Sequence, residues 1–116
     1  MREALLTSAE VRFIDREQIL EDLRRVAARA RALHPEIRRV FLIGSLARGD
    51  WTAESDADLI VVVDLRTPDL LERCRYQIHS ELIPTDTLVY SQGEYEALVG
   101  EPSSALAQDA AFAVEL

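Results

Sequence analysis

Hydrophobic positions along the chain follow two kinds of pattern, and the change from one to the other predicts most of the elements. Ile19, Leu20, Leu23, Val26, Ala27, Ala30 and Leu33 recur at the spacing of one helix face. Asp15-Arg16-Glu17-Gln18 ahead of them has the form of a capping box, with Asp15 as N-cap and Gln18 reaching back. Arg24, Arg25, Arg29 and Arg31 take the polar face. His34-Pro35 predicts the end of this helix, because a residue before proline is pushed out of helical geometry. The pattern then shortens to continuous apolar runs. Arg39–Ile43, ending at Gly44, and Leu59–Val63, rich in β-branched residues, read as buried strands.

Thr67-Pro68 predicts a further helix, with Thr67 as N-cap and Pro68 in the first turn. Leu70, Leu71, Cys74, Ile78 and Leu82 would form its apolar stripe, which makes Cys74 a small core residue. Ile83–Val89 reads as a third strand, and Ser91 with Glu94 as the cap of a short helix through Val99. The alanine-rich tail from Ser103 reads as a helix to about Gln108, followed by an edge strand from Phe112 to Leu116. Residues 1–14 have weak periodicity and read as a loose arm or a short helix. The order predicts one α/β (α+β) domain over 1–116, a short mixed sheet flanked by helices.

Composition narrows the chemistry. The 116 residues are 48% apolar and 29% charged, the balance of an ordinary globular domain. All 13 basic residues are arginine. Without lysine, a P-loop with its lysine, a Schiff-base enzyme and a Ser-Lys hydrolase are excluded. The single cysteine, Cys74, excludes an internal disulfide and a cysteine-based zinc site, and favours a cytoplasmic setting. No apolar run approaches the roughly 20 residues that span a bilayer, so no membrane association is expected.

The net charge of −8 argues against direct nucleic-acid binding, which needs clustered cations. Its distribution is uneven. Residues 1–75 hold all 13 arginines and 14 acids, whereas residues 76–116 hold seven acids and no Arg or Lys. The acidic third is a solvated surface or a docking face for a basic partner.

The informative segment runs from Gly44 to Leu59, between the first two strands. A Gly-Ser pair at a strand exit exposes backbone N–H groups and a hydroxyl, a means of holding phosphate oxygens. Gly44 lets the backbone approach a ligand closely, and a helical turn opening near Leu46 would add its dipole. Asp56 and Asp58 lie two apart at the start of a strand, so they face the same way with α-carbons roughly 6.5–7 Å apart. Such a carboxylate pair repels unless a cation intervenes, and Mg²⁺ prefers one or two carboxylates together with substrate phosphates.

Gly44-Ser45, ten residues, then Asp56-x-Asp58 resembles the signature of the DNA polymerase beta-like nucleotidyltransferase superfamily. The fuller string, Gly-Ser-x-Ala-Arg-Gly followed by Ser-Asp-x-Asp-Leu, is similar to its minimal nucleotidyltransferase (MNT) branch. The resemblance implies a third carboxylate on a later strand, and Asp86 stands where it is expected. It implies transfer of a nucleoside monophosphate, AMP from ATP, to an acceptor hydroxyl with release of pyrophosphate. Asp56, Asp58 and Asp86 would hold two Mg²⁺ ions roughly 3.5–4 Å apart. Asp86 would also assist deprotonation of the acceptor. Gly44 and Ser45 would orient the phosphates. Arg48 either contributes a cation to the triphosphate or pins the turn.

The resemblance extends to MNT-type antitoxins, which pair with a HEPN ribonuclease toxin and adenylylate a toxin tyrosine. That implies a HEPN-type protein partner and a hetero-oligomer, with a homo-oligomer left open. One alternative acceptor is a small hydroxyl compound such as an aminoglycoside, whose transferases carry a further helical domain. Another reading is an antitoxin that acts by binding alone, with weak or no transferase activity. Blander readings make His34 a helix-end residue, place His79 in a helix with no nucleophile near it, and pack Trp51 on its own scaffold. Arg73 and His79 only faintly resemble the Arg-x-His motif of HEPN toxins, because Glu81 stands where that motif needs tyrosine.

Overall fold

The computed structural model describes residues 15–52, 54–66 and 68–116. The expected arm over 1–14 and the Thr67 cap lie outside these residues. Helix α1 (Arg16–Leu33) begins as its sequence predicts. The Asp15 side chain accepts from the Gln18 N–H, and the Gln18 side chain accepts from the Asp15 N–H. It is followed by β1 (Ile37–Ile43), the one-turn helix α2 (Gly44–Arg48) and β2 (Ala57–Val63). Next come α3 (Leu70–Cys74), β3 (Thr85–Ser91), α4 (Gln92–Val99), α5 (Ala105–Ala110) and β4 (Val114–Glu115). The sheet order is β3-β2-β1-β4. β1 pairs antiparallel with β2 and β4, and β2 runs parallel to β3, so the sheet is mixed as expected.

Strand side chains alternate between faces, and both faces here are covered. Val40 and Leu42 of β1 join Leu59, Val61 and Val63 of β2 under Ile19, Leu23 and Val26 of α1. The other face carries Phe41, Ile43, Ile60 and Val62, packed by Tyr90, Tyr95 of α4, Leu106 of α5 and Ala113. Burial on both sides explains why Leu59–Val63 reads as a continuous apolar run. Asp58 takes the face of Ile60 and Val62, the side of α4 and α5. Among the described residues no helix is long and apolar enough to cross a membrane.

The segment after β2 departs from expectation. The predicted helix with a stripe from Leu70 to Leu82 is a single turn, capped by Asp69 with Glu72 and ending at Cys74. Leu70 and Leu71 are 77% and 81% exposed, and Cys74 is exposed, not in the core. Instead Tyr76, Ile78 and Ser80 are buried at a spacing of two, and His79 lies in this irregular stretch outside any helix. The Tyr76 hydroxyl donates to Glu36 at 2.5 Å, and Ser80 Oγ donates to the buried Asp22 carboxylate of α1 at 2.5 Å. Arg25 pairs with the same carboxylate. These long-range bonds compete successfully with a helix whose stripe would have been half exposed.

That stretch seals the outer edge of β3. Arg73 donates to the Val89 carbonyl at 2.5 Å and Gln77 to the Thr87 carbonyl at 3.4 Å. The Thr85 hydroxyl donates to the Ile78 carbonyl at 2.6 Å, and the Ile78 N–H donates to Thr87 Oγ1 at 3.2 Å. The third strand therefore begins at Thr85, two residues later than expected, because the chain before it is engaged with α1. The C-terminal expectations fare better. Ser91 caps α4 with Glu94 in a capping box, α5 runs two residues past Gln108, and β4 pairs with β1 as an edge strand.

Candidate active site

β1 ends at Ile43, whose antiparallel partner is Asp58, so the exit of β1 and the entry of β2 meet. Gly44 turns the chain there with φ +80, a left-handed value that disfavours side chains. A Cβ added to Gly44 would lie 2.5 Å from Asp58 Oδ2. The carboxylate therefore presses directly against the Gly-Ser corner, the placement that the motif's spacing implies. Asp58 is in turn the parallel-register partner of Asp86. Asp56 immediately precedes β2.

Charge ties these groups together. The Asp58 carboxyl titrates above the usual range for aspartate, chiefly because it is half-buried, and then because Asp86, Asp56 and Asp109 repel its charged form; Arg48 acts in the opposite direction. Asp56 and Asp86 are exposed. The three predicted carboxylates thus share one neighbourhood. Among the described residues, however, no three carboxylate, imidazole or thiol groups converge closely enough to hold a metal ion by themselves. The donor set is all oxygen, short of cations and centred on a pair of strand-end aspartates. A hard divalent ion that takes its other ligands from phosphate and water fits such a set.

The corner is held from three sides. α2 has no side-chain cap at its N-terminus, whereas its C-terminal end is well satisfied. Arg16, in the first turn of α1, donates from Nε to the Leu46 carbonyl at 2.8 Å and from Nη2 to the Ala47 carbonyl at 3.1 Å. Gly49 closes the turn at φ +96, with its N–H donating to the Ser45 carbonyl at 2.9 Å. Ser45 Oγ donates to Ser55 Oγ at 3.2 Å, and Ser55 Oγ accepts from the Thr52 N–H at 2.9 Å. Arg48 pairs with Asp50 and with Asp109 of α5, each at 3.5 Å.

Gly44, Ser45, Asp58 and Asp86 therefore meet as the sequence suggests, with Asp56 and Arg48 at the rim. Trp51 packs on the larger core cluster. Arg73 serves α4, in a bidentate pair with Glu94 at 3.0 and 3.2 Å. Sequence reasoning did not find Arg16, the Ser45–Ser55 bond or Asp109. Ser55 lies inside the motif string, but Arg16 and Asp109 come from distant elements and carry no local signal.

A glycine-serine turn facing aspartates at the ends of adjacent strands, in a mixed sheet flanked by helices, defines a domain of the nucleotidyl-transfer class. The chain belongs to the nucleotidyltransferase domain family, which matches residues 23–103. A crystal structure described as "a putative nucleotidyltransferase" from Sulfolobus solfataricus superposes with a TM-score of 0.58 at 21% identity, covering 78% of each chain, and supports the fold. A protein of Methanocaldococcus jannaschii named "Putative protein adenylyltransferase" is 42% identical over 38 residues. That stretch is 33% of this chain and 38% of the relative.

Proposed function

We propose that this nucleotidyltransferase transfers AMP from ATP to a protein hydroxyl, a tyrosine of a HEPN-type partner, with magnesium as cofactor. The observation that carries the transfer chemistry is the seating of the Asp58 carboxylate against the Gly44 turn with Asp86 in register beside it. In this reading the backbone N–H groups of Gly44 and Ser45 orient the phosphate tail. Asp56, Asp58 and Asp86 would hold the two Mg²⁺ ions, which would supply neutralisation of the phosphate charge. Asp86, exposed on β3, accepts the proton of the acceptor hydroxyl. That oxygen forms a bond to the α-phosphorus as the bond to the β-phosphate oxygen breaks. The work of the site is positioning and charge neutralisation.

A protein acceptor is supported by the name of the Methanocaldococcus relative and by residues 76–116, which carry seven acids and no Arg or Lys, although Glu94, Asp109 and Glu115 pair with arginines from earlier in the chain. This suits a basic, RNA-cleaving partner in a cytoplasmic setting. The test is incubation with α-labelled ATP, Mg²⁺ and the neighbouring-gene protein, beside the Asp58→Asn variant. Label on the partner that disappears with the variant is expected. An unlabelled partner under conditions of confirmed binding would overturn the protein-acceptor reading. Neutralisation of the partner that survives Asp56→Asn and Asp58→Asn would favour docking over catalysis.

A further inference from the structure

Arg48 closes α2, and its guanidinium lies between carboxylates from two different parts of the chain. Nε is 3.5 Å from Asp50 Oδ1, and Nη1 is 3.5 Å from Asp109 Oδ1. Asp109 belongs to α5, beyond residues 23–103 where the family match falls, so family membership assigns it nothing. Its placement follows from packing. Leu106, three residues earlier, and Ala113 pack on Phe41, Ile43, Ile60 and Val62, the sheet face that also carries Asp58. Residues three apart share one side of a helix. Anchoring Leu106 on the sheet therefore turns Asp109 towards the strand ends and Arg48.

Two roles are open to a carboxylate in that position: it could orient Arg48 for an incoming anion, or compete with that anion. Magnitudes decide between them. Both separations are longer than an ordinary N–H···O hydrogen bond, and both groups are about one-third exposed. Such a pair orients weakly and contributes little to folding. A negative charge beside the cation, by contrast, acts on any phosphate that approaches, and over a few ångströms this effect is the larger. The pair is therefore a better competitor than clamp.

We propose that Asp109 is an affinity-setting residue, an internal rival for Arg48 that a triphosphate must displace. This rests on the nucleotide reading above. A triphosphate displaces it because it brings more negative charge and can engage the guanidinium fork through two oxygens. A monophosphate draws less from the guanidinium, so Asp109 costs it no more than it costs the triphosphate of the same nucleotide.

The test is equilibrium binding of ATP and of AMP, each with Mg²⁺, to the full chain and to the Asp109→Asn, Arg48→Ala and doubly substituted chains. Asp109→Asn is expected to tighten ATP binding about three- to tenfold, and AMP binding by an equal or smaller factor. With Arg48→Ala already present, adding Asp109→Asn should change the ATP constant by less than about twofold. Unchanged or weaker ATP binding by Asp109→Asn overturns the proposal. So does an equal gain in the Arg48→Ala background, which would reveal general repulsion without competition. A wild-type chain that binds no ATP overturns the nucleotide reading and this inference with it. Coincident thermal transitions for the four proteins exclude a folding defect as the source of any difference.

Discussion

At Gly44 backbone conformation and charge placement are the same constraint. Its φ of +80 costs a non-glycine residue roughly 1–2 kcal/mol, and the missing Cβ is the space that Asp58 Oδ2 occupies. Gly44→Ala is expected to destabilise the fold by about 1–3 kcal/mol in urea titrations and to abolish transfer by displacing the carboxylate. Gly93 supplies the control. It sits in the first turn of α4 with nothing within 4 Å of an added Cβ, so Gly93→Ala should stabilise by about 0.4–1 kcal/mol. Asp58 itself sits at an electrostatic cost. Like charges surround it, so Asp58→Asn should leave stability unchanged or raise it by under about 1 kcal/mol. The same change should lower the transfer rate by about a hundredfold or more. Parallel melting and activity measurements on that variant check both halves.

Elements hold this residue geometry through a few long-range bonds. Ser80 joins the loop before β3 to Asp22 of α1, while its Oγ also accepts from the Leu82 and Ile83 N–H groups. Ser80→Ala would strip a hydrogen bond from a buried carboxylate, and a loss of about 1–3 kcal/mol is expected in denaturant unfolding. Arg73 and Glu94 join α3 to α4. The hydrogen bond from Arg73 is the main cause that holds the Glu94 carboxyl below the usual glutamate range. Its folded pKa is thus depressed, so the stabilisation is present above the unfolded value near ~4.3 and is lost as pH falls through the lower folded value. Glu94→Gln should flatten that acid limb, by less than about 1 kcal/mol because the pair is partly exposed. Melting curves from pH 6 to pH 3 would show it.

How far the elements were legible follows from the range of the forces that make them. α1, with its box at Asp15 and Gln18, and α4, with Ser91 and Glu94, are specified by neighbours three residues apart, and both were readable. The chain from Tyr76 to Ser80 was not, because its buried positions are chosen by Glu36 and Asp22, some 40 and 58 residues away. Candidate site residues divide in the same way. Gly44, Ser45, Asp56 and Asp58 stand in one string, whereas Asp109 reaches the site only because Leu106 is anchored on the sheet.

For the whole molecule, burial sets the order of opening. Val61, Val62 and Val63 of β2 are wholly buried between two packed layers, whereas β4 is two residues long. In native-state hydrogen exchange the β2 amides should be released only by global unfolding, and the Leu116 N–H bond to the Val40 carbonyl should open earlier. A β2 amide exchanging as fast as that of Leu116 would contradict this layering.

The sealed margin of β3 reaches beyond the monomer. A bare parallel strand would offer a template on which another chain could crystallise its own backbone, extending the sheet without limit. Here the side chains of Arg73 and Gln77 occupy the carbonyls such a visitor would need. Any second chain that met this flank would find main-chain zippering closed to it and would have to engage side chains instead.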